Sequence, residues 1–130
     1  MNKELQRNDL SIFEQIRKID SSGNEYWSAR DLAKALEYSE YRHFMPVIER
    51  AKDACKNSGQ RIEDHFEDIL EMITLGKTAQ REVDSVKLSR YACYLVVQNA
   101  DPGKEVVALG QTYFAVQTRL QEIQQMDEYS

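Results

Sequence analysis

The sequence predicts a mainly α, α+β domain. Its parts are a helix-turn-helix-like pair, a small β-hairpin that competes with a helix, and a long C-terminal helix. Three observations predict this. Phe44, Ile48, Ala51 and Cys55 are spaced 4, 3 and 4, one face of a helix. Ser11, Ser28 and Asp101 stand as caps before apolar-periodic runs. Val106, Leu109, Tyr113, Val116, Leu120 and Ile123 are spaced 3, 4, 3, 4 and 3, a heptad seam.

Each element follows in order. "SIFEQIRKI" reads as a helix, with Ser11 and Glu14 as a capping box and Phe13, Ile16 and Ile19 near one stripe. "DSSGNE" ends it at a turn that uses Gly23. In "SARDLAKALE" Ser28 caps, and Asp31 meets the free amides of the first turn. Ala29, Leu32, Ala33 and Leu36 form its inner face. Glu37 follows, where a left-handed glycine fits best; a Glu there costs on the order of 1 kcal/mol. In "EYRHFMPVIERAKDACKNSG" Pro46 either begins the long helix near its first turn or kinks it, and Gly59 stops it. "IEDHFEDILEMITL" reads either as a helix over 62–73 or as the first strand of a hairpin with "REVDSVKLS". Either way 76–82 is an exposed turn carrying Lys77 and Arg81. "SRYACYLVVQNA" is apolar nearly all round, a central buried helix whose first turn holds Arg90, outward or paired with Asp84. Asp101 and Pro102 then start the heptad helix.

Composition narrows the function. The 130 residues suit one domain spanning 1–130. No apolar run approaches the roughly 20 residues that cross a bilayer, and the first residues hold no apolar stretch of the signal-peptide kind. The expected location is the cytoplasm. Cys55 and Cys93 read as buried free thiols. The net charge of −5 disfavours indiscriminate nucleic-acid binding. Five acids and no Lys or Arg lie in 62–71, while 1–61 is nearly balanced with 11 basic and 10 acidic groups. A basic patch must therefore arise by folding.

The chemistry of an enzyme is not written in the chain. His43 and His65, the two histidines, lack metal-ligand spacing. No G-x-S-x-G turn and no glycine-rich phosphate loop occurs. The expectation is a protein that is not an enzyme, with no cofactor, no membrane association and no small-molecule substrate.

Two function classes remain. "SARDLAKALEYSEYRHF" has a helix–turn–helix-like layout, whose second helix can present its first turns to DNA. The candidate nucleic-acid contacts are Arg30, Tyr38, Tyr41, Arg42, His43, Lys77 and Arg81. Tyr41 and Arg42 precede the proline and lead that set; Trp27 packs beneath the second helix. The other class is a protein-interaction module, with acidic residues 62–71 meeting a basic surface. Val106, Leu109, Tyr113, Val116, Leu120 and Ile123 would mediate self-association into a homodimer.

Four blocks in order carry a resemblance: "EYWSARDLAKALEYSEYRHFMPVIERAKDAC", "DHFEDILEMI", "LSRYACYLVVQNADP" and "GQTYFAVQTRLQE". Together, over residues 12–124, they resemble the bacterial DNA damage-inducible protein D family. That family is related to the N-terminal domain of phage and baculovirus BRO-type and antirepressor proteins. The resemblance implies a BRO-N-like domain, SOS-response expression and action in the nucleoid. It also implies DNA, single- or double-stranded, or the strand-exchange recombinase filament on single-stranded DNA, as partner in recombinational repair. Family members usually continue into a further helical region, so the chain is expected to be an N-terminal fragment or short form. The family usually has glycine where Glu37 stands.

Overall fold

The computed structural model describes residues 12–115. Its described elements are α1 (12–15), β1 (Lys18–Ile19), β2 (Glu25–Ser28), α2 (Ala29–Ala35), α3 (Tyr41–Asn57), a 3₁₀ turn (Ile62–Asp64), β3 (Phe66–Leu75), β4 (Ala79–Leu88), α4 (Arg90–Gln98) and α5 (105–115). The fold is α+β, and the mainly α expectation is overturned by a four-stranded antiparallel sheet in the order β1-β2-β4-β3.

The sheet was under-read because of strand length and periodicity. β1 and β2 are two and four residues long, too short for alternation to register. They pair as Lys18 with Tyr26 and Ile19 with Glu25, so the helix expected over 11–19 gives way to strand at its end. Between them Asp20 accepts amide hydrogen bonds from Ser22 and Asn24, both 2.9 Å, and folds the connection tightly. Over 62–75 the hairpin displaces the competing helix. Its strands are ten residues each, not small, and pair without interruption from Phe66–Leu88 to Leu75–Ala79. At about 3.3 Å per residue each strand extends some 33 Å. The turn is residues 76–78, with Gly76 at φ +68°, where a side chain would strain.

The helices follow their local signals more closely. Ser28 Oγ accepts the Asp31 amide at 3.3 Å and caps α2, whose Ala29, Leu32 and Ala33 are buried. Glu37 does adopt φ +63°. The amides of Glu37 and Tyr38 bond back to Lys34 O (3.0 Å) and Ala33 O (2.9 Å), the reciprocal pattern that closes a helix with a left-handed residue. α3 begins at Tyr41, so Pro46 lies inside it rather than at its first turn. The missing proline amide leaves the Arg42 carbonyl without its usual helical donor. The stripe of Phe44, Ile48, Ala51 and Cys55 is buried as the spacing predicts. α5 starts at residue 105, later than Asp101 and Pro102 predict, because Asp101 Oδ1 takes the Gly103 amide in a local turn.

One core joins sheet and helices. Trp27, Phe13, Phe44, Phe114, Leu88 and Val96 are fully buried within it. Burying each such side chain stabilises by roughly 1.5–3 kcal/mol. Trp27 Nε1 also donates to Phe13 O at 2.8 Å, which satisfies its polar edge. Arg90 corrects an expectation: it turns inward, not outward or to Asp84. It forms a two-point ion pair with Glu25 (2.7 and 2.8 Å) and stacks over Trp27. Arg17 binds the same carboxylate at 2.7 Å. Cys55 and Cys93 are buried and free. No helix among the described residues is long and apolar enough to cross a membrane.

Candidate nucleic-acid interface

The α2–α3 turn collects most of the residues that the sequence singles out. Arg30, in the first turn of α2, donates from Nε to the Asp84 carbonyl at 2.6 Å. Its guanidinium lies 4.1 Å from the centre of the Tyr41 ring. One side chain thus ties α2 to α3 and to the hairpin, a use for which a planar cation suits. Tyr41 is half-buried. Burial pushes its phenol up, against the pull of Arg30, so it stays neutral at ordinary pH.

Tyr38 turns toward the start of α5. Its ring meets Phe44 edge-on at 4.9 Å, Lys104 Nζ sits 4.0 Å over its face, and its hydroxyl takes the Asp101 amide at 3.4 Å. That face is therefore occupied. Arg42 and His43 are open, with side chains 76% and 58% exposed. Both lean on Glu40, at 3.0 and 3.4 Å, so one carboxylate partly offsets them.

Lys77 and Arg81 sit at the far end of the hairpin, both exposed. Neither makes an ion pair with another described residue. Residues 72–81 carry these two cations and no acid. Below them Glu67, Asp68, Glu71, Glu82 and Asp84 crowd the same two strands. The hairpin is a positive tip on an acidic neck.

A cleft of about 650 Å³ separates the α2–α3 turn from the outer half of β3. Arg30, Tyr38 and Tyr41 line it on the body side, with Lys18 and Lys34; Ile73 and Thr74 face them from the hairpin. Lys18 is paired with Asp31 at 3.1 Å, whereas Lys34 has no ion-pair partner among the described residues. Glu71, also in the cleft, accepts the Ser28 hydroxyl at 2.7 Å. Sequence reading missed Lys34, although it stands four residues after Arg30 and so on the same helical face.

The remaining candidates fall elsewhere. Val106 and Tyr113 are buried in the chain's own core and Leu109 is half-buried. Val116, Leu120 and Ile123 lie outside the described residues. Of the acidic stretch, Glu63, Asp64, Glu67 and Asp68 are exposed. Among the described residues no group of three His, Cys, Asp or Glu is placed to hold a metal.

Comparison with known proteins places this geometry in a family. The family model described as "BRO family, N-terminal domain" matches residues 15–115. DNA damage-inducible protein D of Escherichia coli (strain K12) is 62% identical over 111 residues, 85% of this chain and 40% of the relative. The chain thus spans less than half the length of that relative. No solved structure matches it. On the match across all the described secondary-structure elements from β1 to α5, the chain belongs to the BRO family as an N-terminal domain.

Proposed function

We propose that this chain is a non-enzymatic DNA-binding module of the DNA-damage response. The hairpin tip and the α2–α3 turn make its contact surface. The observation that carries the reading is the segregation of charge along the hairpin. An acidic chain places two cations without ion-pair partners among the described residues, and with no acid among them, at the end of a projecting arm. Arg30 and Lys34 line the adjoining cleft, and Arg42 and His43 are exposed in the first turn of α3, directly after Tyr41 of that lining. Phosphate attraction falls off within about 10 Å at 0.1 M salt, so a local cationic tip acts almost independently of the net charge. The relative's name, DNA damage-inducible protein D, supports the cellular setting.

The test is a titration of labelled single- and double-stranded DNA at two salt concentrations. Affinity should fall steeply with salt. Lys77→Ala with Arg81→Ala should weaken binding and reduce the salt slope by about 1 for each phosphate contact removed. Unchanged affinity in the double variant sinks the reading. The finer proposals rest on the family resemblance alone: SOS expression, action in the nucleoid, and modulation of the strand-exchange recombinase on single-stranded DNA. Binding to recombinase-coated strands, compared with bare strands, tests the last.

A second reading is a protein-interaction module acting through 62–71 and 106–123. Leu70 and Met72 favour it, being 62% and 61% exposed on the hairpin next to the acids. The seam contributes less, since Val106 and Tyr113 are spent in the core. Sedimentation as a monomer at tens of micromolar would remove self-association.

A further inference from the structure

The hairpin tip holds an apolar residue that charge attraction does not explain. Leu75 ends β3 and is 47% exposed. It pairs across the ladder with Ala79, and Gly76 at φ +68° turns the chain directly after it. Side chains alternate along a strand, so Leu75 and Arg81 project from the same face of the ladder, with Lys77 in the turn between them. A leucine is thus presented at the end of the arm, on the ladder face that carries Arg81 and next to the turn that carries Lys77.

The neck decides how such an arm can approach DNA. Laid lengthwise in a groove, the ribbon would bring Glu67, Asp68, Glu71, Glu82 and Asp84 along the phosphate rows. Like charges at that range repel. An end-on approach keeps the acids away and brings forward only the tip. The minor groove, about 6 Å wide, is too narrow for a whole two-stranded ribbon but admits a single apolar side chain. Apolar wedges flanked by cations enter there between base steps and kink the duplex.

We propose that the tip is a base-step wedge. Leu75 enters between base pairs from the minor groove, and Lys77 and Arg81 hold the flanking phosphates. The preferred ligand is then duplex DNA whose stacking is already weakened by a mismatch or a nick, because the energy of unstacking is smaller there. This rests on the DNA-binding reading and names the substrate class for the same surface.

The experiment uses the full chain and one short duplex, intact or with a central mismatch, end-labelled so that energy transfer reports bending. The mismatched duplex should bind on the order of tenfold more tightly and be bent. Leu75→Ala should abolish both the preference and the bend, so that the two duplexes bind alike. Leu75 is outside the core, so the variant should melt like the parent; Leu75→Met should keep the preference. Lys77→Ala with Arg81→Ala should lower both affinities by the same factor. Equal affinity for the two duplexes, or a preference that survives Leu75→Ala, overturns the wedge and leaves DNA binding standing. Binding to neither duplex overturns both.

Discussion

Glu37 shows how far one residue can depart from its local preference when its surroundings insist. Its backbone is held at φ +63° by the two helix-closing bonds, and Lys104 Nζ reaches its carbonyl at 3.0 Å. Glu37→Gly should raise thermal stability by on the order of 1 kcal/mol, read from the melting midpoint. A lower midpoint would mean the conformation is not strained. Glu25 is the second decisive residue. Burial pushes its carboxyl up, yet the hydrogen bonds and charges of Arg90 and Arg17 outweigh this and hold it at about 2, against an ordinary 4.5. The folded state therefore binds that proton more weakly than the unfolded one. Its stabilisation is present above about pH 4.5 and is lost as pH falls toward 2. Glu25→Gln should lower the melting midpoint at neutral pH and flatten its fall through that window, a difference that vanishes at the acid end. That Arg90 pairs with Glu25 and not Asp84 was not legible in the sequence, because residues 25 and 90 lie 65 apart and meet only in the folded chain.

At the scale of elements, short-range signals and long-range pairing behaved differently. The cap at Ser28 and the α3 stripe depend on residues three or four apart, so they could be read directly. The strand content of 66–75 depends on β4 being present alongside, and its sequence suits either period. The hairpin is also uneven in anchorage. Phe66, Val86 and Leu88 hold its base in the core, while Leu70, Met72 and Leu75 are exposed. Hydrogen exchange should therefore be faster at amides of residues 70–75 and 79–83 than at 86–88; uniform protection would show that something covers the arm. α5 docks by close approach. A Cβ on Gly110 would lie 3.0 Å from Phe13 and 3.2 Å from Val97. Phe13 is packed against Tyr113 and Phe114 and has no room to yield. Gly110→Ala should then destabilise by about 1 kcal/mol, measured by denaturant unfolding, although alanine ordinarily favours a helix.

Across the whole molecule, the sequence by itself determined the Ser28 cap, the core-facing stripe of α3, the buried thiols and the family blocks. These are properties of neighbouring residues and survive in any fold that keeps the helices. Asp101 does not cap α5, and Ser11 lies outside the described residues. Lys77 and Arg81 were also legible as exposed, since glycine and polar residues signal a turn there, but the turn is 76–78 rather than 76–82 and Arg81 pairs within β4. Only the tertiary structure decided what the candidates do. It spent Tyr38 on Lys104 and Phe44, laid Arg30 across Tyr41, and left Arg42 and His43 open beside Glu40. It also drew the tip cations out beyond the acids of their own strands. The expected salt response is the global consequence: DNA affinity that falls steeply with salt despite a net charge of −5. A flat salt response would mean that the acidic neck, and not the tip, dominates the field. Net charge adds over the chain and can be counted in sequence. A potential depends on where each charge is held, and that follows from contacts between residues far apart in the chain.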